Sequence, residues 1–173
     1  ARPEHSLKQL GMARFDKYKS IQTRRQDQIL IVPTWRSGKS SFVRSLDTQL
    51  RDYSTEWLEL VSKLLSLGSK VVLIPHPLLD ERMIRQIESR GAVVMGFADI
   101  DFQNEVRKSR VLVTDFSSTA LEALFAGTPV ILFRSQMDES YTKSHLAHSL
   151  EFDLLAEKGA HICKTTQCAF LDT

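Results

Sequence analysis

Cysteine is scarce in this 173-residue chain, and its scarcity excludes two classes of protein. Cys163 and Cys168 are too few for a disulfide framework, and with His145, His148 and His161 they match no metal-site spacing. We read them as reduced thiols of a cytoplasmic protein that holds no metal. Long hydrophobic runs are missing too: none approaches the roughly 18 residues of a membrane span. The N-terminus lacks the charged-then-apolar pattern of a secretion signal. An excess of one charge is also absent. Lys and Arg total 23 against 21 Asp and Glu, and a net charge of +2 gives no support for nucleic-acid binding. Repeats and low-complexity tracts do not occur. The chain begins with Ala1 rather than Met, so a fragment of a longer protein is expected. What is present, 42% hydrophobic and 25% charged residues, suits one globular domain with a sizeable core.

Residues 1–28 are polar, with weak periodicity, and read as a linker leading into a domain over 29–173; Gly11-Met-Ala-Arg-Phe-Asp16 is their one structured-looking patch. Beyond them, short apolar runs alternate with amphipathic stretches. Strands are expected at Ile29–Val32, Lys70–Ile74, Ala92–Met95, Val111–Val113, Val130–Phe133 and His161–Cys163. Helices are expected at Glu56–Leu67, Asp80–Arg90, Phe102–Lys108, Ser118–Ala126 and Lys143–Glu157. This alternation implies an α/β fold, a three-layer Rossmann-like domain on a parallel sheet with right-handed crossovers. Strands apolar throughout fit a sheet covered on both faces. Ligands of such sheets sit at the strands' carboxyl ends.

The chemistry-bearing residues do follow strands. Ser117, Ser118 and Thr119 open a helix just past Val111–Val113, where hydroxyls and free N–H groups suit a phosphate. Helix capping is the plainer reading, and Thr119 with Glu122 fits a capping box. Glu122, one turn in, offers a carboxylate for both hydroxyls of a ribose, or serves only as that cap's partner. His76, fixed between Pro75 and Pro77, suits phosphate contact or proton transfer, unless it is a simple surface residue. Thr34-Trp-Arg36 with Lys39 offers hydroxyl, guanidinium and ammonium groups for phosphate, or an exposed basic loop. Residues 33–40 also approach a phosphate-binding Walker loop, with Pro33 in place of its first Gly, so an NTPase using Lys39 stays open. Asp115 orients a loop or ligand, or caps the next helix.

In this order the motifs resemble the C-terminal half of the CDP-glycerol glycerophosphotransferases, the teichoic-acid polymerases and primases. Gly11–Asp16 is similar to a linker signature that usually has Pro at the place of Ala13. Ile31-Val-Pro-Thr-Trp-Arg36 resembles an apolar-Pro-Thr-Trp-Arg motif, and Ile74-Pro-His-Pro77 an Arg-Pro-His-Pro motif. Asp99-Ile-Asp101 resembles an acidic loop. Val111–Ser118 resembles apolar-Thr-Asp-Tyr-Ser-Ser, with Phe116 for Tyr. Asp138-Glu-Ser-Tyr141 resembles an acidic-Tyr loop.

The resemblance implies one half of a GT-B fold, and a transferase that moves glycerol phosphate from CDP-glycerol, or a related CDP-polyol, to a polyol-phosphate or lipid-linked acceptor. Teichoic-acid or capsule synthesis at the inner face of the cell membrane follows from that. No cofactor beyond the donor nucleotide is implied. Mapped here, Ser117 and Ser118 hold the donor pyrophosphate, His76 is catalytic, Arg36 neutralises phosphate charge, Glu122 binds ribose, and Gly96-Phe97 faces cytosine. Thr34, Asp115 and Thr119 complete the substrate-binding set, and a missing N-terminal half holds the acceptor. The run Leu121–Pro129 also resembles nucleotide-sugar GT-B transferases, so a sugar donor remains an alternative, as does a non-catalytic assembly module.

Overall fold

The computed structural model describes residues 13–20, 25–34, 46–115, 117–133, 157, 159–163 and 165. Its core is a six-stranded sheet of β1 (Gln28–Val32), β2 (Lys70–Leu73), β3 (Val93–Val94), β4 (Val111–Thr114), β5 (Val130–Phe133) and β6 (Ala160–Cys163). All neighbouring strands run parallel, in the order β3-β2-β1-β4-β5-β6. Every residue of β1, β4 and β5 is buried, because helices cover both faces of the sheet. Alternate side chains divide the core in two. Ile29, Ile31, Val111, Val113, Ile131 and Phe133 pack on one face beneath α2 (Leu46–Ser66) and α3 (Glu81–Ser89). Leu30, Val32, Leu112, Val130 and Leu132 pack on the other beneath α4 (Phe102–Lys108) and α5 (Thr119–Phe125). The α/β, parallel, three-layer expectation is met.

The helices follow their sequence signals. Asp80 caps α3 by accepting the N–H groups of Arg82 (2.6 Å) and Met83 (3.4 Å), and Met83 and Ile87, one turn apart, face the core. Asp101 caps α4 through the N–H of Asn104 at 3.3 Å. Two extents differ from expectation. α2 begins ten residues before Glu56, and Leu46, Leu50, Tyr53 and Trp57 already carry the helical spacing i, i+4, i+7, i+11. β3 is two residues rather than four, being an edge strand that pairs only with β2. The helix expected at Lys143–Glu157 lies almost wholly outside the described residues.

The stretch before β1 is partly structured. A 3-10 turn (Ala13–Phe15) and α1 (Lys17–Ser20) lie against α4 and α5. Phe15 stacks on Phe125 with ring centroids 4.7 Å apart. Tyr18 is buried in the core on the α4 and α5 side, and Arg107 donates to its carbonyl oxygen at 3.0 Å.

Candidate functional site

Because the strands are parallel, their carboxyl ends share one edge, and the strand order reverses direction between β1 and β4. From β1 the chain moves to β2 on one side; from β4 it moves to β5 on the other. In open parallel sheets, ligands sit in the crevice outside the strands' carboxyl ends at such a point. Asp115 and Thr34 lie at this point. The N–H of Thr34 donates to Asp115 Oδ1 at 2.8 Å and its hydroxyl to Oδ2 at 2.7 Å. Just below, the Thr114 hydroxyl donates to the Val32 carbonyl at 2.6 Å. Asp115 is fully buried, so its charge is balanced by directed donors rather than water.

At the start of α5 the cap position belongs to Ser118, which makes no side-chain cap bond. Ser117 Oγ accepts the N–H of Thr119 at 3.2 Å and its hydroxyl at 2.8 Å. The expected capping box is therefore not formed: Thr119 is the first helical residue, not the cap, and Glu122 turns elsewhere. Its Oε2 accepts the Tyr18 hydroxyl at 3.2 Å, and its Oε1 lies 3.3 Å from the Arg14 guanidinium. Burial, then the neighbouring Glu122 charge, raises Tyr18 well above the usual tyrosine range, so the phenol stays a donor.

A cleft of about 310 Å³ opens here, lined by Arg14, Lys17, Phe97, Asp101, Phe102 and Glu122, among others. That volume lies at the small end of ligand sites. Phe97 is 53% exposed and stacks on Phe102 with centroids 5.3 Å apart, offering its ring to the cleft. At the rim Lys17 pairs with Asp101 at 3.0 Å, and that hydrogen bond, aided by the Asn104 N–H, holds the Asp101 carboxyl below its usual range.

The fold thus joins Phe97 to Glu122 across one cleft, Thr34 to Asp115, and Ser117 to Thr119. Gly96 precedes the 3-10 turn Phe97–Asp99, where an added Cβ would lie 2.5 Å from Asp99 Oδ2. His76 is exposed past β2, and its Nδ1 accepts the Leu78 N–H at 3.1 Å, which assigns the ring proton to Nε2 when the imidazole is neutral. Arg36, Lys39, Phe116 and Asp138–Tyr141 lie outside the described residues. Sequence reasoning missed Arg14, Lys17 and Tyr18. Arg14 stands in the Gly11–Asp16 patch, to which no site role was given, and Tyr18 is set between two lysines, Lys17-Tyr18-Lys19, in a polar stretch. Among the described residues no cluster of His, Cys, Asp and Glu could hold a metal, and no helix is long and apolar enough to cross a membrane.

A family model described as CDP-Glycerol:Poly(glycerophosphate) glycerophosphotransferase matches residues 7–170. The chain belongs to this family. That description is of a transferase family. The minor teichoic acid biosynthesis protein GgaB of Bacillus subtilis (strain 168) is 26% identical over 145 residues, which cover 76% of this chain. The chain spans only 16% of that relative's length. Two solved structures are also similar. The E. coli heptosyltransferase WaaC, solved with ADP-2-deoxy-2-fluoro heptose, is 13% identical with a TM-score of 0.49, over 72% of this chain and 38% of its own. The wall teichoic acid polymerase TagF, as a variant, is 18% identical with a TM-score of 0.42, over 73% of this chain and 30% of its own.

Proposed function

We propose that this domain binds the nucleotide donor of a glycerophosphotransferase, CDP-glycerol or a related CDP-polyol, as one half of a GT-B enzyme that extends a cell-surface polymer. The observation that carries this reading is the cleft where the exposed Phe97 ring and the Glu122 carboxylate meet beside the carboxyl edge. A flat ring suits the face of a base, and a carboxylate suits ribose hydroxyls. Gly96 and Phe97 take the cytosine side, and Glu122 takes the ribose. From there the pyrophosphate extends toward Ser117, Ser118 and Thr119, where hydroxyls and backbone N–H groups cluster past β4. Thr34 meets the same crevice, held by Asp115. His76 on the neighbouring loop moves a proton or binds phosphate, and Arg36 neutralises charge developing on the transferred phosphate. The polyol-phosphate or lipid-linked acceptor belongs to another part of the enzyme, at the inner face of the membrane.

An NMR titration of the chain with CDP-glycerol, CDP, UDP and ATP tests this. Cytidine nucleotides are expected to shift residues 96–97 and 114–122, and Ser117→Ala combined with Ser118→Ala to weaken them. Shifts that miss both segments, or a preference for ATP with Mg²⁺ that Lys39→Ala removes, would sink the reading. Offered donor and acceptor, the chain alone is expected to release no CMP; release would show that it needs no acceptor half.

A further inference from the structure

Glu122 is 7% exposed, yet it lines the cleft. A carboxylate so placed needs partners, and it has one on each oxygen: the Tyr18 hydroxyl on Oε2 and the Arg14 guanidinium on Oε1. A carboxylate offers about four acceptor positions. The Tyr18 hydroxyl occupies one on Oε2, and the Arg14 guanidinium lies beside Oε1 as an ion pair, so each oxygen keeps an acceptor position for one of two adjacent hydroxyls. Both partners come from the segment before β1, Tyr18 lying 104 residues away in sequence, and neither belongs to α5. The segment is in turn held by Phe15 on Phe125 and by Arg107 on the Tyr18 carbonyl. Tyr18 does not itself line the cleft, whereas Arg14 does, and the Tyr18 hydroxyl keeps its proton.

Resting on the donor-nucleotide reading above, we propose that Tyr18 and Arg14 are positioning residues that aim Glu122 at both hydroxyls of the donor's ribose, so the segment before β1 sets the preference for ribonucleotides over deoxyribonucleotides. Binding alone needs no such pair. Discrimination does, because a carboxylate free to rotate accepts water as readily as a sugar hydroxyl.

The test is calorimetric titration of the full chain with CDP and with 2′,3′-dideoxy-CDP. Wild type is expected to favour CDP, and Glu122→Ala to abolish the preference. Tyr18→Phe keeps the ring and loses the hydroxyl. It is expected to cut the preference by about 5-fold, the size of one hydrogen bond, with dideoxy-CDP affinity unchanged. Arg14→Met, at a half-exposed site, is expected to cut it similarly and gives the same reading should Tyr18→Phe fold poorly. If Glu122→Ala abolishes the preference while both partner variants retain it, this inference fails and the donor reading stands. Equal loss of both ligands in Tyr18→Phe and Arg14→Met also overturns it, since that marks a structural role for Tyr18 and a structural role or a direct ligand contact for Arg14. If wild type shows no preference, or Glu122→Ala keeps it, the assignment of ribose to Glu122 fails, and the inference with it.

Discussion

At the scale of single residues, the carboxyl ends of β1 and β4 are tied by a buried carboxylate whose two oxygens meet one threonine. Asp115 takes two donors from Thr34 across 81 residues of sequence and couples the loop after β1 to the loop after β4. Removing the buried acceptor forfeits both bonds, at about 1 kcal/mol each. Asp115→Ala should therefore lower the thermal midpoint by several degrees in a chain of this size. Asp115→Asn keeps one acceptor oxygen and should lose roughly half as much. An Asp115→Ala midpoint within a degree of wild type would show that the tie contributes little. Asp115 was recognised in sequence as a residue of consequence because it follows a strand. Its partner was not legible, since local spacing says nothing about Thr34.

At the scale of elements, α5 is a short helix with well-marked ends. Gly127 adopts φ +75°, its N–H bonds the Leu124 carbonyl at 3.0 Å, and the Thr128 N–H bonds the Ala123 carbonyl at 2.8 Å. This is a Schellman stop, which favours glycine because a Cβ strains that backbone. Gly127→Ala should destabilise the domain by about 1 kcal/mol, seen as a lower urea midpoint with an unchanged slope. No loss would mean that the turn relaxes into another conformation. The stop was legible in sequence, since Gly127 followed by Pro129 marks a break. The start was less so. Three hydroxyl residues in a row left the cap ambiguous, and only the fold assigned it to Ser118 and turned Glu122 toward Tyr18.

At the scale of the whole molecule, the segment before β1 is fastened to the sheet through a tyrosine that resists ionisation. Above pH ~10 the unfolded chain releases that proton while the folded chain keeps it. The unfolded state then binds fewer protons, and folding stability falls as pH rises. Below that pH the contribution is complete. Urea midpoints measured from pH 8 to 11 should decline more steeply for wild type than for Tyr18→Phe; parallel declines would mean that Tyr18 ionises alike in both states.

Sequence by itself determined the α/β class, the strand positions and the family, because alternating apolar runs, Gly breaks and polar turns after strands are local signals that survive without coordinates. It also determined which loops share one edge, since parallel strands send every carboxyl end there. Only the tertiary structure decided the strand order, which reverses direction between β1 and β4, the bond from Thr34 to Asp115, and the contacts of Tyr18 and Arg14 with Glu122 at the cleft. These are contacts between residues about 80 to 110 positions apart. Periodicity reports which face of an element is buried, and carries no record of what that face meets.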